Sequence, residues 1–390
     1  MDSFGVGVAM SVCLPCRSHD NCCLNCYSFG PIMCPIDAID CDVHPTVSGM
    51  QALLPYLDDF WREAVEERGI NSLETVAYPP NAPLTARPQW RASNGRAAIS
   101  ASELAAQVCD QWHAGVAICN CLYGVSLPFS EDMAAAFTRA LNDWLAKEWL
   151  DRDPRLRGSI VVSLQNAEYA VDEIERCAKD ARFVQILVLA MQETPLGRRV
   201  LWPVYAAAER HRLPLGIHAG STFRHSTTSL GWPSYYIEDY ASHTQAFQSQ
   251  VASLVCEGVF AKHPGLKVVL LESGVTWLPA FLWRFAKFWR GVRAEVPWVD
   301  RSPAEIVRDH FRMTLQPFDA PSDPGLVERV IDHLRSDDIL LYASDYPHWQ
   351  FDGDEVVPAG IAGSLRRKIL VENPLATYDR IKLPPPQIEP

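Results

Sequence analysis

The sequence alternates short apolar runs with longer helical patterns, and no other feature constrains the fold as strongly. From residue 36 onward, each apolar or β-branched run is followed by a stretch of helical periodicity, and this unit occurs eight times. Strands that alternate with helices run parallel and are joined by crossover helices, and eight such units favour a closed barrel. We therefore predict an α/β fold, specifically a (β/α)8 or TIM barrel. The predicted strands cover residues 38–43, 116–122, 159–164, 183–189, 215–218, 267–271, 311–315 and 339–343.

The main alternative for this pattern is an open, doubly wound sheet. Such a sheet needs a glycine-rich phosphate-binding turn after an early strand, and the sequence has none. This favours the barrel. The helices predicted between the strands cover residues 50–68, 130–150, 167–180, 196–212, 242–262, 275–292, 324–336 and 360–371.

Two long segments interrupt the alternation and predict loop insertions. Residues 71–100 are rich in proline, asparagine and arginine and follow the first helix, whereas residues 221–240 carry aromatic residues and follow the fifth strand. The loops after the strands of a barrel form its catalytic mouth. The second insertion is therefore expected to help cover a pocket at that end.

Both ends of the chain differ in composition from the predicted barrel. Residues 1–35 lack periodicity and contain two Cys-x-x-Cys pairs within residues 13–26. That internal spacing is compatible with a zinc or iron–sulfur site, but only six residues separate the pairs. An irregular Cys-rich extension is the favoured interpretation. We thus expect this extension, a barrel over residues 36–380 and a Pro-rich tail over residues 381–390.

Charge and hydropathy exclude several classes of protein. The formal net charge is −12 and there is no long basic run, which argues against a nucleic-acid or anionic-membrane partner. No apolar run reaches the ~20 residues that a membrane helix needs. Residues 4–15 are mildly apolar, but the segment before them carries Asp2 and no Lys or Arg, unlike a secretory signal. We therefore expect a cytoplasmic enzyme.

Polar side chains mark the end of the first predicted strand. Side chains alternate along a strand, so Asp40, Asp42 and His44 are expected to point to one face. A carboxylate and an imidazole two residues apart are good metal ligands. An Asp–His hydrogen bond that caps the loop is the alternative, and this stretch alone leaves both open.

Three further strands end on ionisable residues, namely His218, Glu272 and Asp345. One such residue after a strand is more often a loop cap than a ligand. Four strands that deliver such residues to one end of one barrel are harder to explain by packing, because buried like charges repel each other and lose hydration. A bound cation resolves both costs.

In this order and on these strands, the motifs resemble the amidohydrolase superfamily over residues 36–380. The branch is the amidohydrolase-2 branch, which contains aminocarboxymuconate-semialdehyde decarboxylase and the resorcylate and carboxyvanillate decarboxylases. The motifs are Ile39-Asp40-Cys41-Asp42-Val43-His44-Pro45, Gly216-Ile217-His218-Ala219-Gly220, Glu272-Ser273-Gly274 and Ser344-Asp345-Tyr346-Pro347-His348.

The resemblance implies a metal site formed by Asp42, His44, His218 and Asp345. Many relatives carry a histidine on strand six where this chain has Glu272, so the role of that histidine is not carried over. No lysine fits the bridge of the binuclear members, so one divalent ion is expected. Two imidazoles and two carboxylates suit Zn²⁺ or Mn²⁺ equally.

Other polar and aromatic residues suggest further roles. Arg224 is a candidate for binding a substrate carboxylate, because Arg binds carboxylates bidentately, and a solvated loop residue is the alternative. His348 follows Asp345 closely and is expected either to touch substrate or to brace the loop. Tryptophans that recur at 277, 283 and 289 fit either core packing or the interface of a homo-oligomer.

Three functions are compatible with these residues. The favoured one is removal of CO2 from an aromatic or unsaturated carboxylic acid, with Glu272 or Asp345 in catalysis. The alternative is hydrolysis of an amide, lactone or ester, in which metal-activated water attacks and Asp345 acts as the base. A barrel that binds metal without catalysis is the third, and the complete ligand set argues against it.

Overall fold

The computed structural model describes residues 38–73, 75–79, 86–93, 95–348 and 357–382. The predicted extension of residues 1–35 lies outside these ranges, and so does the predicted tail apart from residues 381 and 382. The predictions for both segments therefore stay predictions.

The described residues form an eight-stranded parallel sheet in which each strand pairs with the next along the chain. Backbone hydrogen bonds close it: the N–H of His44 donates to the carbonyl of Tyr346 (2.7 Å), and the N–H of Asp345 to the carbonyl of Asp42 (3.0 Å). The predicted barrel is confirmed. The strands are β1 Ala38–Val43, β2 Ala114–Cys119, β3 Leu156–Val161, β4 Phe183–Met191, β5 Leu215–Ser221, β6 Val268–Leu271, β7 Phe311–Thr314 and β8 Leu340–Leu341.

Helices connect the strands of the described barrel. α2 continues as a π-helix to Gln111, α3 to Leu150 and α11 to Glu372. None of the described helices combines the length and apolarity needed to cross a membrane. The α-helices are α1 Asp59–Glu67, α2 Ala101–Leu104, α3 Glu131–Leu145, α4 Ala167–Cys177, α5 Trp202–His211, α6 Tyr236–Cys256, α7 Val259–Lys262, α8 Leu278–Val292, α9 Pro303–His310, α10 Pro324–Leu334, α11 Gly363–Arg367 and α12 Asn373–Thr377.

The structure differs from the predicted helices in ways that matter for the site. α2 and α9 were not predicted, and α6 begins at Tyr236 rather than at residue 242. Glu238 explains the earlier start, because its Oε2 accepts hydrogen bonds from the backbone N–H groups of Ser234 (3.0 Å) and Tyr235 (2.8 Å). The end of the predicted 221–240 insertion is therefore the first turn of a helix.

A network of hydrogen-bonded, buried polar side chains runs through the barrel interior. The hydroxyl of Tyr378 donates to Gln185 Oε1 (3.0 Å), and Gln185 Nε2 donates to Ser159 Oγ (3.0 Å) and to Asn120 Oδ1 (3.1 Å). All four side chains are buried, so each hydrogen bond replaces one that water would otherwise supply. This network of hydrogen bonds fixes the side chain of Asn120 at the end of β2.

Gly216 on β5 packs closely against Gln185 of this network. A Cβ atom added there would lie 2.6 Å from Cδ of Gln185, and Gln185 cannot move without breaking its hydrogen bonds. We expect Gly216→Ala to lower the free energy of unfolding by about 1–3 kcal/mol, the usual range for overpacking, as measured by urea denaturation.

Gly291 on α8 provides the matched control, because an added Cβ there meets no atom within 4 Å. Gly291→Ala should leave stability unchanged or raise it by up to about 1 kcal/mol. Equal effects of the two substitutions would contradict the packing of Gly216 against Gln185.

Candidate metal centre

The end of β1, strand β5 and the loop after β8 bring together the four residues expected to bind metal. His44 Nε2 lies 3.4 Å from Asp42 Oδ1 and 2.9 Å from Asp345 Oδ1, and His218 Nε2 lies 3.4 Å from Asp42 Oδ2. All four side chains are buried. The predicted residues therefore lie in one cluster inside the barrel mouth.

Three buried atoms of this cluster have no hydrogen-bond partner in the described part of the chain: Asp42 Oδ2, His218 Nε2 and Asp345 Oδ2. An unsatisfied buried polar atom costs about 1–3 kcal/mol, and more when it is charged. The potential ligand atoms of Asp42, His44 and His218 lie within 4.8 Å of one another. This donor set of imidazole nitrogens and carboxylate oxygens fits one divalent cation such as Zn²⁺ or Mn²⁺.

The backbone fixes which nitrogen of each histidine faces the cluster. His44 Nδ1 donates to the carbonyl of Asn120 (2.8 Å), and His218 Nδ1 donates to the carbonyl of Ala219 (2.6 Å). With the proton held on Nδ1, Nε2 presents its lone pair to the other ligands. Both rings are thus oriented to bind a cation through Nε2.

Asn120 was missed in the sequence analysis, although it supports two of the ligands. Its side-chain Nδ2 donates to Asp42 Oδ1 (2.8 Å), and its backbone carbonyl accepts the hydrogen bond from His44 Nδ1. The bond from Asn120 leaves Asp42 Oδ2 as the unpartnered oxygen. A signal was present in the sequence, because Asn120 is the first residue after β2 and belongs to the same end of the barrel as the ligands.

The charges in the cluster raise the pKa of His44 and lower the pKa of Asp345. Burial alone would lower the pKa of His44, but the carboxylates of Asp42 and Asp345 raise it to about 10. Burial alone would raise the pKa of Asp345, but the imidazoles of His348 and His44 hold it well below its usual range. Carboxylate charge therefore accumulates here and is balanced by protons or by a cation.

Glu272 lies beside the cluster, at the end of β6. Its Oε2 is 3.5 Å from His218 Nε2, and its Oε1 accepts a hydrogen bond from the hydroxyl of Tyr240 (2.9 Å). Burial and the nearby Asp345 carboxylate raise its pKa above the ordinary value. Glu272 and Asp345 both have a backbone φ of +57°. Residues other than glycine adopt this left-handed conformation at a cost in free energy. The barrel thus holds two carboxylates of the site in strained backbone.

His348, which was expected to touch substrate or to brace the loop, lies beside the cluster. Its ring stacks on that of His44, with centroids 4.5 Å apart, and its Nδ1 lies 2.7 Å from Asp345 Oδ1. His44, Asp345 and His348 form a second set of atoms close enough to share a cation. His348 is half-buried and faces the cavity described next.

A cavity of about 340 Å³ opens above the cluster. This volume falls within the range typical of small-molecule sites. The lining is largely apolar, with a few polar groups from the first insertion, from α6 and from the metal cluster. Residues that line it include His44, Val47, Leu73, Val76, Leu122, Tyr123, Tyr236, Tyr240, His243, Glu272 and His348.

Arg224 is the one predicted site residue that the structure does not bring to this group. Its guanidinium lies over the ring of Phe129, 3.5 Å from the centroid, and near the carbonyl of Pro128 (3.3 Å). Arg224 lines a different cavity, which contains neither the metal cluster nor Glu272. The insertion that carries it turns away from the cluster because Thr222 and His225 bond to the backbone of Met191 and Glu193.

Comparison with known proteins adds a family and several relatives. A family model described as amidohydrolase matches residues 39–380. A gamma-resorcylate decarboxylase from Rhodococcus jostii is 27% identical over 183 residues, which cover 44% of this chain and 53% of that enzyme. The match thus spans about half of that relative. A second, from a Polaromonas species, is 24% identical over 244 residues, 59% of this chain and 72% of that enzyme.

Solved structures share the fold. An amidohydrolase from Mycobacterium avium subsp. paratuberculosis superposes with a TM-score of 0.67 at 20% identity, covering 87% of this chain and 98% of that one. A dihydroxybenzoic acid decarboxylase from a Polaromonas species, solved with manganese and 2-nitroresorcinol, gives a TM-score of 0.61 at 18% identity, covering 88% and 96%. At these identities, the likeness concerns the barrel itself.

The position of Asn120 generates a prediction. Asn120→Ala should weaken Mn²⁺ binding by about 10–100-fold, the usual cost of losing a residue that orients metal ligands, as measured by isothermal titration calorimetry.

Asn142 is the matched control, since it is also a buried asparagine and donates to the carbonyl of Val161 (2.9 Å) and to Glu173 Oε1 (2.7 Å). Asn142→Ala should lower stability without changing the Mn²⁺ affinity. Equal affinities in the two variants would contradict the role assigned to Asn120.

Proposed function

Because this chain belongs to the amidohydrolase family, we propose that it is a mononuclear metal-dependent enzyme that decarboxylates an aromatic or unsaturated carboxylic acid. The observation that carries the proposal is the set of unpartnered, buried ligand atoms on Asp42, His218 and Asp345 beneath a cavity of about 340 Å³. The curated relatives that are decarboxylases of an aromatic acid support the reaction class.

The ion would be held by Asp42, His44, His218 and Asp345. When bound, a divalent cation supplies a positive charge that binds and polarises oxygens of the substrate. Manganese is present in a solved relative, and the donor set of this chain accepts zinc as well. One carboxylate oxygen of Asp42 is already engaged by Asn120, so its other oxygen is the proposed ligand atom.

Glu272 is the residue proposed to deliver a proton to carbon. In decarboxylation, the C–H bond forms at the carbon that bears the carboxylate. The C–C bond then breaks, its electron pair returns to the substrate, and CO2 leaves. Glu272 reaches the cavity, and the hydroxyl of Tyr240 holds its Oε1. This bond leaves Oε2 to carry the proton on the side of His218.

His348, whose Nδ1 lies 3.9 Å from Glu272 Oε1, is the residue proposed to contact the substrate beside Glu272. Its ring stacks on His44, and its Nδ1 is bonded to Asp345, so the ring is fixed beside the cation site. Arg224 is not part of the proposal, because its guanidinium contacts the backbone near Pro128 instead. The cytoplasmic location and the homo-oligomer stay predictions from the sequence.

The metal assignment is tested with His218→Ala. Removing an imidazole whose Nε2 has no hydrogen-bond partner among the described residues should abolish stoichiometric metal and lower turnover by about a hundredfold or more, because the charge that polarises the substrate is lost. Elemental analysis of the purified proteins measures the first effect. His310→Ala is the control, since His310 is also buried but donates to the carbonyl of Leu266 away from the cluster. Full metal content in His218→Ala would rule out this site.

The reaction class is tested with two sets of substrates. Aromatic carboxylates are offered in one set and lactones and amides in the other, and released CO2 and released acid are followed separately. We expect CO2 from at least one carboxylate, because the proposed acid Glu272 faces the cavity beside the cation site. Acid release from lactones or amides with no CO2 from any carboxylate would identify a hydrolase instead.

A further inference from the structure

A buried histidine–aspartate pair lies outside the metal cluster, and its histidine lines the cavity. His243 Nε2 is 2.8 Å from Asp239 Oδ2, and both side chains are buried. The other oxygen of Asp239 accepts a hydrogen bond from the hydroxyl of Thr227 (3.1 Å). Both carboxylate oxygens are therefore occupied, and the imidazole ring is held in one orientation.

Stability does not explain this pair. Taking a carboxylate and an imidazole out of water costs more than an apolar pair of similar size, and the attraction between them only partly offsets that cost. Burying such a pair beside a cavity instead suggests a functional role. A half-buried pair outside the cavity provides a comparison: His211 Nε2 contacts Glu175 Oε2 at 2.7 Å.

The helix that carries the pair also reaches the proposed acid. Asp239, Tyr240 and His243 lie in the first turns of α6, and positions four apart share one face of a helix. Tyr240 donates to Glu272, and the rings of Tyr240 and His243 are 5.3 Å apart. His243 thus lines the same cavity as Glu272 and lies next to Tyr240.

We propose that His243 is a specificity-determining residue that binds a hydroxyl group of the substrate through Nδ1. The inference rests on the proposed function. Asp239 accepts the hydrogen bond from Nε2, which keeps the proton there and leaves Nδ1 as the acceptor. In the described part of the chain, Nδ1 has no hydrogen-bond partner, and His243 lines the cavity. The substrate group that fits an acceptor at this position is a hydrogen-bond donor, so the inference assigns recognition of a substrate hydroxyl to Nδ1 of His243.

The test measures binding to the manganese-loaded protein by isothermal titration calorimetry. The ligands are benzoate and its 2-, 3- and 4-hydroxy derivatives, and the readout is the ratio of the Kd for benzoate to the Kd for the tightest hydroxybenzoate. We expect wild-type protein to prefer one hydroxybenzoate. A site built to bind a hydroxyl discriminates against the analogue that lacks it, because its own polar group is then left unpaired.

The informative variant is His243→Gln. The glutamine amide nitrogen can replace Nε2 towards Asp239, but no atom replaces Nδ1. The preference for the hydroxybenzoate should fall by about tenfold or more, the factor that ~1.4 kcal/mol represents, while the Kd for benzoate, the melting temperature and the manganese content stay unchanged. A general structural defect would weaken both ligands alike.

Two further variants serve as a conservative replacement of His243 and as a control outside the cavity. In His243→Asn, the side-chain oxygen lies near the position of Nδ1, so this variant should retain more of the preference than His243→Gln. In His211→Gln, a histidine–carboxylate pair is altered outside the cavity, and the preference should not change.

The outcomes separate this inference from the proposed function. An unchanged preference in His243→Gln, with normal binding of the acids, would overturn the role of His243 alone. Equal weakening of benzoate and hydroxybenzoate would overturn it too, because the residue would then act on the fold. Wild-type protein that binds manganese but none of the acids would overturn the proposed function, and the inference with it.

Discussion

The metal cluster is shaped by the electrostatic cost of burying several carboxylates in one barrel mouth. Asp42 and Asp345 are buried close to the same imidazole, and Glu272 adds a third carboxyl group within 3.5 Å of His218. In a low-dielectric interior these charges repel each other and lose hydration. A divalent cation compensates for both losses at once. The unpartnered atoms of the cluster are those that would face such a cation.

The rest of the barrel holds this arrangement in place. Asn120 links Asp42 to Ser159 and Gln185, so the ligands at the mouth are connected to buried side chains of β3 and β4. The closing hydrogen bonds between β1 and the segment after β8 run through the ligands themselves, because the N–H of Asp345 bonds to the carbonyl of Asp42. Barrel closure and ligand geometry are therefore one structural feature, and a change in either is expected to affect both.

Much of this could be predicted from the sequence, and the physical reason is the parallel topology. The carboxyl ends of parallel strands meet at one end of a barrel, so reading the strands was enough to bring His218 and Asp345 to Asp42. Contacts that depend on loop paths or helix starts were not predictable in this way. Arg224 was expected at the site but its loop turns away. Tyr240 lies in the insertion predicted to cover the pocket, and His243 lies in the helix predicted from residue 242. Neither was singled out, because periodicity does not show which side chains of α6 face the cavity.

The missed residues and the predicted ones belong to different parts of the fold, which suggests a division of roles. The strand ends supply ligands that any chain with this chemistry must place within a few ångströms of one ion. The turns of α6 supply the cavity wall, where Tyr240 holds Glu272 and Asp239 holds His243. A helix attached to an insertion can change its side chains without disturbing the backbone bonds that close the barrel. Substrate choice is thus expected to vary through α6, while the metal chemistry stays with the strands.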